Sequence, residues 1–373
     1  MKTIVVSAVN LRKGGTLTIL KNCLGYLSPL AKSGEYRVVA LVHKKELAYY
    51  DGIEYIEIPW ALKNWLLRLW CEYVTMYGIS KRLTPVYLWL SLHDTTPNVV
   101  AERRAVYCHN PFPFYKWNWR GLLMNYRIVC FAWFSKYIYR VNIHKNYAVV
   151  VQQNWIREEF MGAFKLNRDK VIVSLPSCVK PEIIPQRENN EMFRFLYASF
   201  GDIHKNFETL CEATRLLQER VGPGVFKVSL TIAKDDCRYT QWLYEKWGTV
   251  ESIEFTGFLD KARLMEYYSL ADCLVFPSKV ETWGLPISEF MSTGKPMMLA
   301  DLPYAHETSA GSRLTAFFNP ESPEDLMEKM LQLLKGDKSF LKPVEKKKIA
   351  EPLAVDWKEL FDRLLGHENT STW

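Results

Sequence analysis

Short apolar runs of strand length, each followed by a stretch with helical spacing, recur along both halves of this 373-residue chain and restrict it to one class of architecture. They fall at residues 3–9, 36–42, 105–108, 147–151, 193–198, 227–232, 252–255 and 272–276. Buried strands alternating with helices predict parallel sheets covered on both faces, that is, doubly wound α/β domains. The length suffices for two such domains with sizeable cores. Between them, residues 174–191 contain Pro176, Pro181 and Pro185 and then Gln186-Arg187-Glu188-Asn189-Asn190, a composition that marks a linker. The expected division is 1–175, 176–350 and a helical terminus in 351–373.

Composition narrows the function classes. An apolar content of 48% argues against extended disorder. The eight cysteines are scattered without a CxxC pair, so neither a disulfide framework nor a zinc site is expected. Met1-Lys2 leads straight into the 3–9 run, which is too short for a signal-peptide core, and a reducing cytoplasm is the expected location. Charge differs by halves: residues 1–175 carry 24 Lys and Arg against 11 Asp and Glu, and the remainder 24 against 30. A basic half without any RNP-like, zinc-finger or Arg-rich pattern points away from nucleic acid. Anionic lipid headgroups or a pyrophosphate-linked acceptor suit it better.

Two stretches of that half are unusually aromatic. In 60–73, Asn64, Arg68 and Glu72 form a polar stripe at i, i+4 spacing, and the apolar residues fill the rest. In 112–140, aromatic side chains interleave with Lys116, Arg120, Arg127, Lys136 and Arg140, which interrupt the apolar run too early for a bilayer span. A core helix and an interfacial helix are both open for each stretch.

The most informative chemistry lies in Phe276-Pro277-Ser278-Lys279-Val280-Glu281-Thr282-Trp283-Gly284-Leu285-Pro286-Ile287-Ser288-Glu289. An apolar strand passes through Gly284 into a helix with Pro286 near its first position, and Gly294 and Pro296 end that helix. Unpaired first-turn amides and the helix dipole favour an anion, so the backbone around Thr282, Trp283, Gly284 and Leu285 is a candidate diphosphate cradle. Carboxylates beside phosphates repel them; Glu281 and Glu289 therefore make sense against neutral hydroxyls. A nucleotide sugar carries such hydroxyls on both sides of its diphosphate. The plainer alternative is that Glu281 caps the helix and Glu289 is solvated.

Other candidates sit at strand ends. Gly14-Gly15 follows the first strand, where a bare backbone can approach a sugar or phosphate. His109 follows the 105–108 run and leads into Asn110-Pro111, a carboxyl strand end of the kind where doubly wound domains bind ligands. Asp94 lies on another candidate loop, either beside an acceptor hydroxyl or, as the favoured reading, capping a turn. Asn110 is a further acceptor-side candidate.

With its F-P-S-x-x-E-x-x-G-L-P-x-x-E pattern, a helix and then G-x-P, the 276–296 segment resembles retaining family 4 glycosyltransferases of the GT-B fold. The resemblance continues through Phe255-Thr256-Gly257-Phe258, Tyr267 and Ala271-Asp272 upstream, and through Asp301-Leu302-Pro303 with Glu307 downstream. It covers most of the second half and only scattered points of the first. It implies two Rossmann-like domains facing a central cleft, an N-terminal one for the acceptor and a C-terminal one for a nucleoside-diphosphate sugar. A terminal helix crossing back to the first domain, or lying on the second, is also expected. The implied reaction is retaining transfer of a hexose or deoxyhexose to a hydroxyl of a growing, lipid-linked glycan in surface-polysaccharide synthesis, at the inner membrane face, without metal or cofactor. Glu281, His109 and Lys205 are the implied catalytic residues. Gly14, Gly15, Gly257, Phe258 and Glu289 join the cradle in donor binding. One departure stands out: relatives supply an arginine before the lysine, and here Asp202 falls near that position. His204, Arg12 and Lys13 are the candidate replacements. A sugar-nucleotide epimerase or hydrolase, and a non-catalytic nucleotide- or glycan-binding subunit, are the alternative readings.

Overall fold

The computed structural model describes residues 1–115, 126–176 and 192–367. The linker residues 177–191, most of the 112–125 aromatic stretch and Cys178 lie outside them. Two compact units divide the chain, each with its own sheet: Met1–Pro113, Trp133–Ser177 and Ile349–Trp373 form the first, Phe114–Ala132 and Cys178–Lys348 the second. The division is not a single cut near 175. Residues Phe114–Ala132 group with the second unit.

The first unit contains β1 (Lys2–Ala8), α1 (Gly14–Lys32), β2 (Tyr36–Val42), β3 (Ile53–Glu57), α2 (Trp65–Trp70), α3 (Met76–Leu83), β4 (Val86–Ser91) and β5 (Arg103–Cys108). After α4 (Tyr126–Arg140), which begins in the second unit, come β6 (Ala148–Val151), α5 (Asn154–Phe164) and β7 (Val171–Ser174). Because side chains alternate across a strand, β1 feeds two cores. Ile4, Val6 and Ala8 pack with Leu20, Cys23, Leu24 and Leu27 of α1. Val5 packs on the other face with Cys71, Met76 and Ile79, in and around α3.

The second unit repeats the pattern with β8 (Phe193–Tyr197), α6 (Phe207–Val221), β9 (Phe226–Leu230), α7 (Arg238–Trp247), β10 (Ile253–Phe255) and α8 (Lys261–Leu270). It continues with β11 (Cys273–Phe276), α9 (Leu285–Met291), β12 (Met297–Ala300), α10 (Pro303–Thr308), β13 (Thr315–Phe318) and α11 (Pro323–Leu334). The chain then returns to the first unit as β14 (Leu353–Ala354) and α12 (Trp357–Leu365). Asp356 caps α12 by accepting from the Glu359 amide at 2.8 Å, and Gly366 ends it at φ +72°. The buried face of α12, Leu360, Phe361, Leu364 and Leu365, joins the α1 core.

Strand order is β14-β7-β6-β5-β4-β1-β2-β3 in the eight-stranded sheet and β10-β9-β8-β11-β12-β13 in the six-stranded one, with parallel pairing throughout the named strands. Each order reverses once: between β1 and β4 in the first sheet, between β8 and β11 in the second. Loops at such a reversal diverge and leave a crevice at the carboxyl strand ends, the usual ligand position of this architecture.

The 60–73 stretch departs from a simple core helix. Asn64 caps α2, Cys71–Thr75 form a π-helical turn, and α3 follows. The polar stripe runs from exposed Asn64 through half-buried Arg68 to Glu72, which is 1% exposed, whereas Leu66 is 79% and Trp70 58% exposed.

Candidate functional site

In the second unit, the loops that leave β8 and β11 meet at the reversal point. The Lys205 ammonium lies 2.6 Å from Glu281 Oε1, with both side chains mostly buried. Backbone contacts hold this pair. Tyr197 donates to the Lys205 carbonyl at 2.8 Å, the Lys279 amide to the His204 carbonyl at 2.8 Å, and Asn206 to the carbonyls of Pro277 and Pro320 at 3.1 and 2.8 Å. Asn206 takes the left-handed conformation, at φ +56°, that this crossing requires.

Asp202 occupies the first position of that turn. Its Oδ1 accepts from the Ile203 amide at 3.2 Å, and its carbonyl from the Lys205 amide at 2.9 Å. Burial raises its pKa above the ordinary carboxylate value. The departure from the family arginine therefore has a local structural role: Asp202 caps the turn that presents Lys205. His204 does not replace the missing cation. Burial, reinforced by Lys205, pushes its pKa well down and keeps the ring neutral. Arg12 and Lys13 are exposed residues of the first unit.

Gly284 stands at φ +82°, a backbone conformation that favours glycine, and a Cβ there would lie 3.1 Å from Ile287 Cδ1. Trp283 is fixed at both ends: its indole donates to Ser288 Oγ at 2.7 Å, and its carbonyl accepts from the Thr308 hydroxyl. Thr282 is half-buried beside it, and Leu285 opens α9. Glu289, on α9, accepts a 3.0 Å bond from the Tyr268 hydroxyl; burial raises its pKa, and the phenol orients it. Gly257 adopts φ +74° after β10. Phe258 beside it is 69% exposed and stacks on Phe200, itself 60% exposed, with centroids 6.3 Å apart and planes 15° from parallel. Sequence reading missed Phe200. Its signal is a large aromatic in a Ser-Phe-Gly-Asp strand-end turn, where small polar residues are the norm.

The first unit holds a second cluster. Gly14, at φ +61°, opens α1, and Lys13 at the N-cap makes no side-chain cap, so the amides beside Gly15 are not capped by it. Asp94, after β4, adopts φ +70°. Its Oδ1 accepts from the His109 amide at 2.7 Å, and its Oδ2 lies 3.6 Å from His109 Nε2. Asp94 is thus more than a turn cap, since it faces both the backbone and the ring of His109. Burial raises its pKa. His109 Nδ1 is buried without a hydrogen-bond partner among the described residues. Asn110 accepts from the Phe112 amide through its side-chain oxygen at 3.0 Å.

Beneath this pair runs a network that sequence reading also missed. The Trp89 indole donates to Ser7 Oγ (3.1 Å), Ser7 lies 3.0 Å from His93 Nε2, His93 Nδ1 lies 3.0 Å from Thr95 Oγ1, and Thr95 donates to Glu72 Oε2 (2.6 Å). Arg68 pairs with Glu72 Oε1. With Thr95 donating to Glu72, His93 Nδ1 is the donor to Thr95 Oγ1, and Nε2 faces the hydroxyls of Ser7 and Ser91 at 3.0 and 3.2 Å. Burial lowers the His93 pKa to about 4.

Two doubly wound parallel units, each with polar side chains gathered at its reversal point, define a protein of the GT-B class. Residues 194–336, within the second unit, match the family described as Glycosyl transferases group 1. Over the longer span, the chain is 22% identical to the O-antigen chain mannosyltransferase RfbU of Salmonella typhimurium across 325 residues, 79% of this chain and 86% of that protein. The fold is similar to that of the lipopolysaccharide outer core galactosyltransferase WaaB, at TM-score 0.64 and 14% identity over 98% of this chain and 100% of that one. It is also similar to that of WaaG, a glycosyltransferase involved in lipopolysaccharide biosynthesis, at TM-score 0.63 and 13% identity over 99% and 95%.

Proposed function

We propose that this chain is a glycosyltransferase of cell-surface polysaccharide synthesis that moves a hexose from a nucleoside-diphosphate sugar to a hydroxyl of a lipid-linked glycan, with retention at the anomeric carbon and without a metal. The Lys205–Glu281 pair carries the reading. A lysine held at the reversal point by a carboxylate is placed to move onto a diphosphate as leaving-group charge develops, and such preorganised charge contributes most where water is excluded. Glu281, once released, faces the hydroxyls of the transferred sugar. Glu289, oriented by Tyr268, receives ribose hydroxyls, and the Phe200–Phe258 pair offers a ring face to the base. The first unit supplies the acceptor side and His109, whose ring Asp94 faces. Relatives named as mannosyltransferases support a mannosyl donor first among the hexoses. The basic first half supports work at the cytoplasmic face of an anionic membrane. Asp202's role as a turn cap removes the observation that favoured a non-catalytic binding subunit.

The test separates binding from transfer. Thermal shift with GDP, UDP, dTDP and CMP is expected to select one nucleotide. Lys205→Ala should weaken it by roughly tenfold, the scale of one charge-assisted contact. Glu281→Gln should bind it as well or better, because a charge competing for Lys205 is gone, yet lose most transfer. Transfer should persist after chelation. Unchanged nucleotide binding in the Lys205 variant, or activity restored only by a divalent ion, overturns the corresponding part.

A further inference from the structure

Residues 65–83 carry apolar side chains on both their inner and their outer sides. The inner side of α2, the π turn and α3 carries Cys71, Glu72, Met76 and Ile79, all buried. The outer side carries Leu66, Trp70, Val74 and Tyr77, exposed by 79%, 58%, 45% and 36%. Their i, i+4, i+8, i+11 spacing makes one continuous helical face. A helix that buries its carboxylate and shows water its tryptophan is shaped for a second apolar surface.

Within residues 59–85 the exposed charges have one sign. Glu72 is the sole acid from Pro59 to Pro85, and it is buried against Arg68. Lys63, Lys81 and Arg82 are exposed at the ends of the run, and the Lys81 ammonium lies 4.6 Å above the Tyr77 ring. The later part of α4 repeats the arrangement, with Phe134 and Tyr137 58% and 70% exposed beside exposed Lys136 and Arg140. Its inner Tyr139 is buried within electrostatic reach of Glu72 and Arg68, so this part of α4 borders the same layer as α2. No Asp or Glu occurs between Arg103 and Arg157.

We propose that the outer face of residues 65–83, extended by the later part of α4, docks flat on an anionic lipid bilayer. Apolar side chains enter the headgroup boundary while the lysines and arginines meet lipid phosphates. This deepens the reading that the acceptor is membrane-borne, and it rests on that reading for its purpose. A second copy of the chain is the poorer occupant, since a two-fold contact would set Lys63, Lys81 and Arg82 against their own like charges. No helix among the described residues is long and apolar enough to cross a membrane, so the contact is one-sided.

Vesicle co-sedimentation of the full chain tests this, using phosphatidylcholine alone and with about 30% phosphatidylglycerol. The chain should sediment with the anionic vesicles. Leu66→Ser combined with Trp70→Ser should lose about tenfold in bound fraction, and Lys81→Glu with Arg82→Glu about as much together with the preference for anionic lipid. Both pairs are exposed, and unchanged thermal unfolding without vesicles checks that they fold. Failure to sediment, or variants that sediment like the parent, overturns the proposal; a concentration-dependent dimer that the Leu66/Trp70 variant abolishes assigns the face to a second copy instead. Vesicle binding needs neither donor nor turnover. Its failure therefore leaves the nucleotide thermal shift and the Lys205 test standing, and the reverse also holds.

Discussion

At the scale of single residues, the sharpest consequence concerns His93. Its ring is fully buried among hydrogen-bond partners, and burial lowers its pKa from 6.5 to about 4. A group depressed on folding contributes stability that is complete above its unfolded value and disappears as pH falls through the folded one. The contribution is therefore intact above about pH 6.5, and about 3 kcal/mol of it should be lost by about pH 4. Asp94, Asp202 and Glu289 act in the opposite sense over part of that range, because their pKa values are raised and the folded state holds their protons more firmly. His93→Gln separates the two. The variant should be less stable at pH 7 yet show a flatter loss between pH 6.5 and 4 when unfolding temperature is followed against pH. Parallel profiles would mean that His93 is not the titrating group.

At the scale of elements, the π turn at Cys71–Thr75 lets Glu72 reach Arg68, Thr95 and the His93 ring from one position. Glu72→Ala leaves Arg68 without its carboxylate and Thr95 without its acceptor, so a loss of about 3 kcal/mol is expected. Chemical denaturation measures it, and a loss below about 1 kcal/mol would show that solvent reaches the network. This element also shows where sequence reading stops. Periodicity in 60–73 locates two stripes on a helix, and the Asn64-Arg68-Glu72 row is legible as one of them. Which stripe turns inward depends on what waits beneath, here His93 and Thr95 on the loop after β4, and no local pattern encodes that. Likewise β1 and β2 are legible because both their faces are buried. The edge strand β3, Ile-Glu-Tyr-Ile-Glu, is not, because its alternation is short and half polar. The Glu281 and Gly284 positions are legible because a strand-to-helix junction leaves a strong local signature, and Lys205 only through the family resemblance. The pairing of Lys205 with Glu281 is not, because two positions 76 apart in sequence are brought together only by the sheet order.

At the scale of the whole molecule, the chain completes its first unit last. The α12 helix brings Phe361 into a 5.2 Å stack on Tyr26; Tyr87 donates to the Leu365 carbonyl at 2.7 Å, and Arg103 to the Leu364 carbonyl at 3.1 Å. Arg157, fully buried on α5, donates to the carbonyls of Ala350 and Pro352 at 2.9 and 3.2 Å, and so fixes the incoming segment beside β7. A core finished by its terminal helix stays incomplete while the second unit, whose named strands all lie between Phe193 and Phe318, already has its sheet. Each unit having its own core, calorimetry should resolve two transitions. Phe361→Ala removes a fully buried ring and should cost about 4 kcal/mol, lowering the first unit's transition by roughly 10 °C. A saturating nucleotide should raise only the other transition, by mass action on the unit that binds it. If the Phe361 variant lowers both transitions together, the terminal helix couples the units rather than completing one of them, and the nucleotide should then raise both as well.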